Sequence, residues 1–249
     1  MTVHIPAPEE ADGKAARTRI EFRHALQNDS ELPTVRHLVN LFDENRKPIP
    51  TADNLPDKKE WSWTDFWPDL APDAPVEVEI GAGKGNFMVE YAQKRPELRF
   101  VGIEIEPKYA KYGGSRLFRN HIPNAISLRG DALLFLRDYV PENSVSAFHM
   151  YQPDPWPKER QRRRRLLRPE FLDAIFRAAR PGNEALFHWS TDFKEYDERA
   201  QEMFAETPFL ELVQNDAPPT WGIMTNFEKK YRLEGRPIYR SVVRILKEK

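Results

Sequence analysis

The sequence contains no cysteine among its 249 residues. This absence excludes disulfides, thiolate zinc or iron–sulfur sites and a cysteine nucleophile, and it fits a reducing compartment. Long hydrophobic runs are missing too, since no uncharged stretch approaches the ~18 residues that span a bilayer. The amino end carries Glu9, Glu10 and Asp12 where a leader would be apolar. We therefore expect a cytoplasmic protein with no membrane partner.

A surplus of positive charge is also missing, because 38 Lys and Arg residues balance 39 Asp and Glu residues for a net charge of −1. Any polyanionic partner would have to bind a local cationic patch. No histidine pair has the spacing of metal ligands, so we predict no metal site. His149 and His188 lie within predicted strands, where we expect hydrogen-bonded core side chains.

Two regions of different character meet near residue 72. Residues 1–72 are acidic and rich in proline, and we predict a variable, partly disordered N-terminal extension with one helical pattern, over residues 33–42. An aromatic cluster in this region is expected to pack on the main domain, with stacking on a base as the weaker alternative. Its members are Trp61, Trp63, Phe66 and Trp67. Residues 73–249 are predicted to form the catalytic domain.

Beyond residue 75, strand patterns alternate with helical patterns, which predicts an α/β fold with a mostly parallel, doubly wound sheet. The predicted strands are 76–80, 99–105, 125–128, 145–151 and 185–191. The predicted helices are 86–94 and two that begin at Pro107 and Pro169. The β-rich run 237–246 has no following helix, and we expect an antiparallel edge strand there.

The ends of these strands are all acidic. Ligands of open α/β sheets bind beyond the carboxyl ends of the strands, so five carboxylates are expected to face one crevice. They are Glu79, Glu104, Asp131, Asp154 and Asp192. Such a crevice repels an anionic dinucleotide but suits a ligand with a cationic centre and hydroxyl groups.

A glycine loop, Gly81-Ala82-Gly83-Lys84-Gly85, separates the first of these strands from its helix. Such a loop alone is weak evidence, because any tight strand-to-helix turn favours glycine. Glu104 lies close to the ~20-residue offset at which a carboxylate binds ribose hydroxyls, and Asp131 is placed to accept from an adenine amine. The glycine spacing disfavours dinucleotides and nucleotide hydrolysis, so S-adenosylmethionine is the cofactor that fits best.

A rigid segment with a basic continuation follows the strand 145–151. Three prolines between Pro153 and Pro157 fix Asp154 and Trp156 with little entropy left to lose. The basic segment, residues 158–168, then holds seven basic residues and one acidic residue. A solvated face is the usual explanation of such a run. Its position beside the crevice favours phosphate contacts instead. The predicted RNA contacts are Arg160, Arg162, Arg163, Arg164 and Arg165.

The motifs together resemble those of the bacterial tRNA (guanine-N7-)-methyltransferase family. They are Glu-Ile-Gly-Ala-Gly-Lys-Gly (79–85), Gly-Ile-Glu (102–104), Pro-Asp-Pro-Trp-Pro-Lys (153–158), Thr-Asp (191–192) and Thr-Asn-Phe-Glu (225–228). The resemblance covers about two thirds of the chain and implies a class I S-adenosylmethionine-dependent methyltransferase fold. It also implies methyl transfer to N7 of guanine 46 in the variable loop of tRNA, without an obligate protein partner.

The same resemblance assigns roles to individual residues. The residues implied to bind the cofactor are Glu79, Gly81, Gly83, Glu104, Asp131 and Asp154, of which Asp154 is also the implied catalytic residue. The residues implied to bind the substrate are Lys158, Asp192, Thr225, Asn226, Phe227 and Glu228. Trp156 either stacks on the base or packs its loop.

Guanine N7 has no proton to lose, so attack on a sulfonium methyl needs alignment and charge stabilisation rather than a general base. We expect Asp154 to orient the guanine, and Asp192 or Glu228 to accept hydrogen bonds from its N1–H and amine. Two other functions remain open at this point. One is methylation of a small molecule or protein, and the other is non-catalytic RNA binding on the same fold.

Overall fold

A computed structural model describes residues 38–40, 62–71 and 73–248. Its strands are β1 Leu38–Asn40, β2 Val76–Ile80, β3 Arg99–Glu104, β4 Ala125–Arg129, β5 Val145–Tyr151, β6 Leu186–Thr191, β7 Leu210–Asn215 and β8 Tyr239–Ile245. Its helices are α1 Asn86–Lys94, α2 Pro107–Arg119, α3 Ala132–Asp138, α4 Pro169–Ala178, α5 Lys194–Glu206 and α6 Asn226–Leu233. Short 3₁₀ turns span Trp63–Asp65, Glu159–Arg164 and Thr220–Gly222.

The strands form one sheet in the order β1-β4-β3-β2-β5-β6-β8-β7. Strands β1 to β6 pair in parallel, and β8 pairs antiparallel with both β6 and β7. The predicted fold class is therefore confirmed. The strand order reverses between β2 and β5, and this switch point is where such sheets open a crevice for a ligand.

Two expectations about strands are wrong. Strand β8 lies inside the sheet, and β7 is the edge strand beside it. Strand β7 was missed because the alternation of Leu210, Glu211 and Leu212 is short and breaks at Val213, and only Leu210 is buried. Leu38–Asn40, inside the expected helix, is a strand that pairs with Ser127–Arg129. Pairing along a sheet edge overrides a local helical pattern. The rest of that pattern lies outside the described residues.

The aromatic cluster packs on the main domain, as predicted. Trp63, Phe66 and Trp67 are buried within the core that contains β2, β5 and β6. The indole N–H of Trp67 donates to the carbonyl of Pro123 at 3.2 Å. Trp61 lies outside the described residues, and the domain boundary near residue 72 stays a prediction.

Among the described residues, no helix combines the length and apolar character needed to cross a bilayer.

Close approach of two helices fixes the glycine loop against the sheet. Gly85 has φ 70° at the start of α1, and a Cβ added there would lie 2.9 Å from the Cα of Gly113 in α2. Both the backbone conformation and the contact with backbone therefore require glycine. This contact anchors the loop, and with it the first turn of α1, on the neighbouring helix.

We expect Gly85→Ala to lower the free energy of unfolding by about 1–3 kcal/mol more than Gly235→Ala does. Gly235 has a similar φ of 69°, but a Cβ there meets nothing within 4 Å. Gly235→Ala therefore introduces the same backbone strain as Gly85→Ala but no overpacking. Urea unfolding of both variants measures the difference, and equal losses would mean that the close approach of α2 contributes nothing.

Candidate active site

The glycine loop and Glu104 hold each other at the carboxyl end of the sheet. The N–H groups of Gly81 and Ala82 donate to the carbonyl of Ile103 at 2.8 and 3.0 Å. Gly83 N–H donates to Glu104 Oε2 at 2.8 Å, and the other carboxylate oxygen of Glu104 accepts from Glu106 N–H at 2.8 Å. Glu104 is thereby fixed, with 9% of its surface exposed, at the mouth of the crevice.

Glu79 is a buried carboxylate whose Oε2 has no hydrogen-bond partner among the described residues. Burial raises its pKa to about 8, and the charge of Glu104 adds to the shift. Burial also raises the pKa of Glu104; backbone hydrogen bonds oppose this shift and the charge of Asp154 adds to it. Glu104 thus interacts with both Glu79 and Asp154, and such a group of acidic side chains favours the binding of a cationic group.

Asp131 stands at the same edge of the sheet, directly before α3. Its Oδ1 accepts from Leu134 N–H at 3.0 Å and so caps the helix. A helix cap needs one carboxylate oxygen. The structural role is therefore compatible with the predicted contact to an adenine amine, which stays a prediction.

The segment after β5 has a strained backbone. Gln152 and Trp156 both have left-handed conformations, with φ of 45° and 40°. Such conformations in residues other than glycine are costly, and they concentrate at functional sites. The guanidinium of Arg164 lies 4.9 Å from the centroid of the half-buried Trp156 ring. One face of the Trp156 ring is therefore already in contact with Arg164 within the loop.

Arg165 differs from its neighbours in the basic segment. It is 6% exposed, its Nε donates to the carbonyl of Pro155 at 2.7 Å, and its two terminal nitrogens donate to Glu195. Its guanidinium also lies 4.5 Å from the ring centroid of Tyr196. Counting Arg165 among the RNA contacts is therefore a mistake, because these bonds fix the loop. Exposed positions are held by Lys158, Arg160, Arg162, Arg163 and Arg164.

A segment distant in sequence reaches the same site through Gln152. Thr225 Oγ1 donates to Gln152 Oε1 at 2.6 Å and accepts from Glu228 N–H at 3.1 Å, which caps α6. Gln152 Nε2 donates to Ser190 Oγ at 2.7 Å. Asn226 accepts a hydrogen bond from Asn86, the first residue of α1. These bonds place the Thr-Asn-Phe-Glu motif against both the rigid loop and the glycine loop, and Phe227 is 55% exposed there.

Both carboxylates expected to recognise guanine form ion pairs. Glu228 is 3% exposed and binds Arg240, with Arg232 at 3.4 Å. Asp192 pairs with Arg236, whose side chain is 41% exposed. The pairs of Glu228 join α6 to β8, so its structural role explains its burial. An exposed arginine can move aside more readily, which favours Asp192 as the acceptor.

Three residues of this site were missed by sequence reasoning. Gln152 joins two substrate-side segments, Asn86 contacts Asn226, and Arg236 pairs with Asp192. Gln152 is adjacent to the proline-rich motif and Asn86 follows the glycine loop, so their positions were a usable signal. No sequence pattern marked Arg236.

The prediction of a hydrogen-bonded core histidine is confirmed for His149, whereas His188 is half-buried. His149 is fully buried and bonds Glu77 at 2.8 Å and Tyr151 at 2.9 Å. His188 stacks on it at 4.8 Å, and burial lowers the pKa of His188 to about 3. Thr220 accepts from Tyr151 at 2.8 Å, which ties the Thr220–Gly222 turn to β5.

The fold and this acidic crevice at its switch point define a class I S-adenosylmethionine-dependent methyltransferase. The solved 16S rRNA methyltransferase KamB shares the fold, with a TM-score of 0.56, 17% identity and coverage of 75% of this chain and 95% of that one. The family model described as "Putative methyltransferase" matches residues 73–241.

Named relatives narrow the class to one family. A tRNA (guanine-N(7)-)-methyltransferase from Treponema pallidum is 38% identical over 176 residues, covering 69% of this chain and 67% of that protein. One from Rhodopirellula baltica is 36% identical over 182 residues, covering 69% and 66%. The chain belongs to the tRNA (guanine-N(7)-)-methyltransferase family, as the resemblance of its motifs predicted.

The raised pKa of Glu79 predicts that binding of S-adenosylmethionine releases a proton near neutral pH. Below pH about 8 the free protein holds Glu79 protonated, whereas a cationic ligand favours the carboxylate. Affinity should therefore rise between pH 6 and 8 by up to about tenfold per unit, and then level off. Calorimetry in buffers of different ionisation enthalpy counts the protons released.

Glu79→Gln is the matched control, because it retains the shape but cannot titrate. The ligand's own amino group contributes equally to both proteins, so the difference between their pH profiles isolates Glu79. Identical profiles would contradict the assignment of this carboxyl to the cofactor.

Proposed function

We propose that this protein transfers a methyl group from S-adenosylmethionine to N7 of guanine 46 in the variable loop of tRNA. The observation that carries the proposal is the crevice formed by Glu79, Glu104 and Asp154, with the exposed arginines of the basic segment beside it. A carboxylate crevice suits a sulfonium donor, and an adjacent cationic surface suits a polyanionic acceptor.

Residues of the crevice would hold the donor by complementary charge and by hydrogen bonds. Glu79 supplies an unpaired carboxylate for a positive group, and Glu104 is held in place for the ribose hydroxyls. Asp131 is placed for the adenine amine, and the glycine loop lets the backbone approach closely. S-adenosylmethionine, when bound, supplies an electrophilic methyl group on its sulfonium.

On the acceptor side, we assign Asp154 to orient guanine and to stabilise the positive charge that develops on the purine. Asp154 is exposed at the strained loop, and its charge acts on Glu104 within the crevice. The lone pair of N7 lies in the ring plane and carries no proton, so no residue has to act as a base. Alignment and electrostatics are therefore the main contributions of the protein.

Specificity for guanine is assigned to Asp192. A carboxylate accepts from the N1–H and the exocyclic amine of guanine, whereas adenine presents an unprotonated N1 at the same position. Arg236 pairs with Asp192 in the free protein and would have to share it with the base. Lys158 and the Thr225–Phe227 segment are proposed to complete the contacts to the substrate.

The decisive assay is transfer from labelled S-adenosylmethionine to bulk tRNA, followed by reductive aniline cleavage to locate N7-methylguanine. Label at guanine 46 supports the proposal. Label in protein or in a small molecule would favour a different substrate, and binding without transfer would favour a non-catalytic RNA-binding protein. We further propose that the enzyme acts in the cytoplasm, where tRNA is found, without an obligate protein partner.

Asp154→Asn should lower the turnover number about 100-fold or more, because a preorganised charge facing the transition state is lost. Affinity for S-adenosylmethionine should change little, since Glu79 and Glu104 remain. Single-turnover kinetics and calorimetry measure the two quantities separately. Turnover at the wild-type level would refute the role assigned to Asp154.

Arg163→Ala with Arg164→Ala should weaken tRNA binding and lower the slope of log affinity against log salt by about 1.4–1.8. The charge-matched control is Arg199→Ala with Arg244→Ala. Arg199 pairs with Glu202 within α5, and Arg244 of β8 pairs with Glu211 of β7. Filter binding at several salt concentrations compares them. If both double variants show the same slope of log affinity against log salt, the basic segment is only a solvated face and does not bind RNA.

A further inference from the structure

Helix α2 carries a surface stripe of two tyrosines followed by two arginines, of which Arg116 is half-buried. The α2 stripe consists of Tyr109, Tyr112, Arg116 and Arg119, at spacings of three, four and three residues, which places them on one face of the helix. Tyr109 is 39% exposed and Tyr112 is 46% exposed. The opposite face of the helix, with Ala110, Gly113 and Leu117, is buried. The stripe is therefore a surface feature that core packing does not explain.

The described helix and the segment from it to the end of β4 contain only cationic charges, although exposed Glu106 directly precedes the helix. Residues 107–130 contain five Lys and Arg residues and no Asp or Glu. Two cations lie close to the rings, since Lys84 Nζ is 5.6 Å from the centroid of Tyr109 and the Arg116 guanidinium is 5.9 Å from that of Tyr112. A cation over a ring keeps its charge and adds a flat surface beside it. Cations that lie beside exposed rings suit the phosphates and bases of a nucleic acid.

The α2 stripe begins beside the crevice. Helix α2 follows β3 directly, and Lys84 of the glycine loop contacts its Tyr109. The basic segment follows β5, and in the sheet β3 and β5 lie on opposite sides of β2. The crevice at the end of β2 thus has one cationic surface on each side.

We propose that the α2 stripe is a second RNA-binding surface, which holds the tRNA backbone on the side of the crevice opposite the basic segment. In this arrangement Arg116 and Arg119 bind phosphates, and Tyr112 stacks on an unpaired base. The inference rests on the proposed function and adds to it a surface for positioning the substrate. The excess of cations on this helix favours a nucleic acid over a protein partner, which an exposed aromatic surface could otherwise bind.

The test uses the full chain, a tRNA transcript and binding titrations from about 50 to 300 mM salt. Arg116→Ala with Arg119→Ala should raise Kd about tenfold near 150 mM salt and lower the salt slope by about 1.4–1.8. The double Arg199→Ala/Arg244→Ala removes the same charge far from the stripe and should leave the slope unchanged. Tyr112→Ala should raise Kd about fivefold or more, whereas Tyr112→Phe, which keeps the ring, should bind like wild type.

Methyl transfer separates this inference from the function on which it rests. The stripe variants should show a raised KM for tRNA, with kcat and the affinity for S-adenosylmethionine close to wild type. If the wild-type protein methylates tRNA and the stripe variants bind it equally well, the α2 surface is overturned and the function stands. If the wild-type protein does not methylate tRNA, the proposed function is wrong, and the inference that rests on it is wrong as well. Variants that change the oligomeric mass in light scattering but not tRNA affinity would overturn the inference in favour of a protein contact.

Discussion

Repulsion among carboxylates at one edge of the sheet is the constraint on which the site depends. The charge of Glu104 helps to raise the pKa of Glu79, the charge of Asp154 helps to raise that of Glu104, and Glu79 is buried with an oxygen that has no hydrogen-bond partner among the described residues. Backbone N–H groups from Gly83 and Glu106 hold Glu104 in position despite the repulsion. Without a cationic ligand, Glu79 therefore favours its neutral form near neutral pH, and the switch point of the sheet keeps acidic groups with no cation paired to Glu79. A cationic ligand would supply that cation, which is how the fold and the chemistry of the donor are connected.

The acceptor side is assembled by polar links between segments that are distant in sequence. Gln152 joins the loop after β5 to Ser190 and to Thr225, and Tyr151 ties the same strand to Thr220. The rigid loop, the end of β6 and the start of α6 are thereby held as one unit. In the proposed function, this unit would position the reacting base while the cationic surfaces on the two sides of the crevice bind the rest of the substrate.

Much of the sheet could be predicted, because alternation of apolar and polar residues marks the buried strands and acidic residues mark their carboxyl ends. The burial of individual side chains could not be predicted from the sequence. Arg164 and Arg165 are identical and adjacent, yet Arg165 is buried by Glu195, which lies 30 residues further along the chain. Strand β7 is exposed along most of its length, and its apolar alternation is too short to reveal it. The bond from Thr225 to Gln152 spans 73 residues and has no local signature.

The order of the last two strands has a consequence for folding during synthesis. Strand β7 is synthesised before β8, which is its only neighbour in the described sheet. It therefore leaves the ribosome before the strand with which it pairs. Its backbone amides cannot pair with β8 until about thirty further residues, including α6, have been synthesised. Segments left unpaired in this way are vulnerable to proteases and to association with other nascent chains. The pairing of β7 with β8 and the bond from Thr225 to Gln152 thus both require residues that are synthesised after β7.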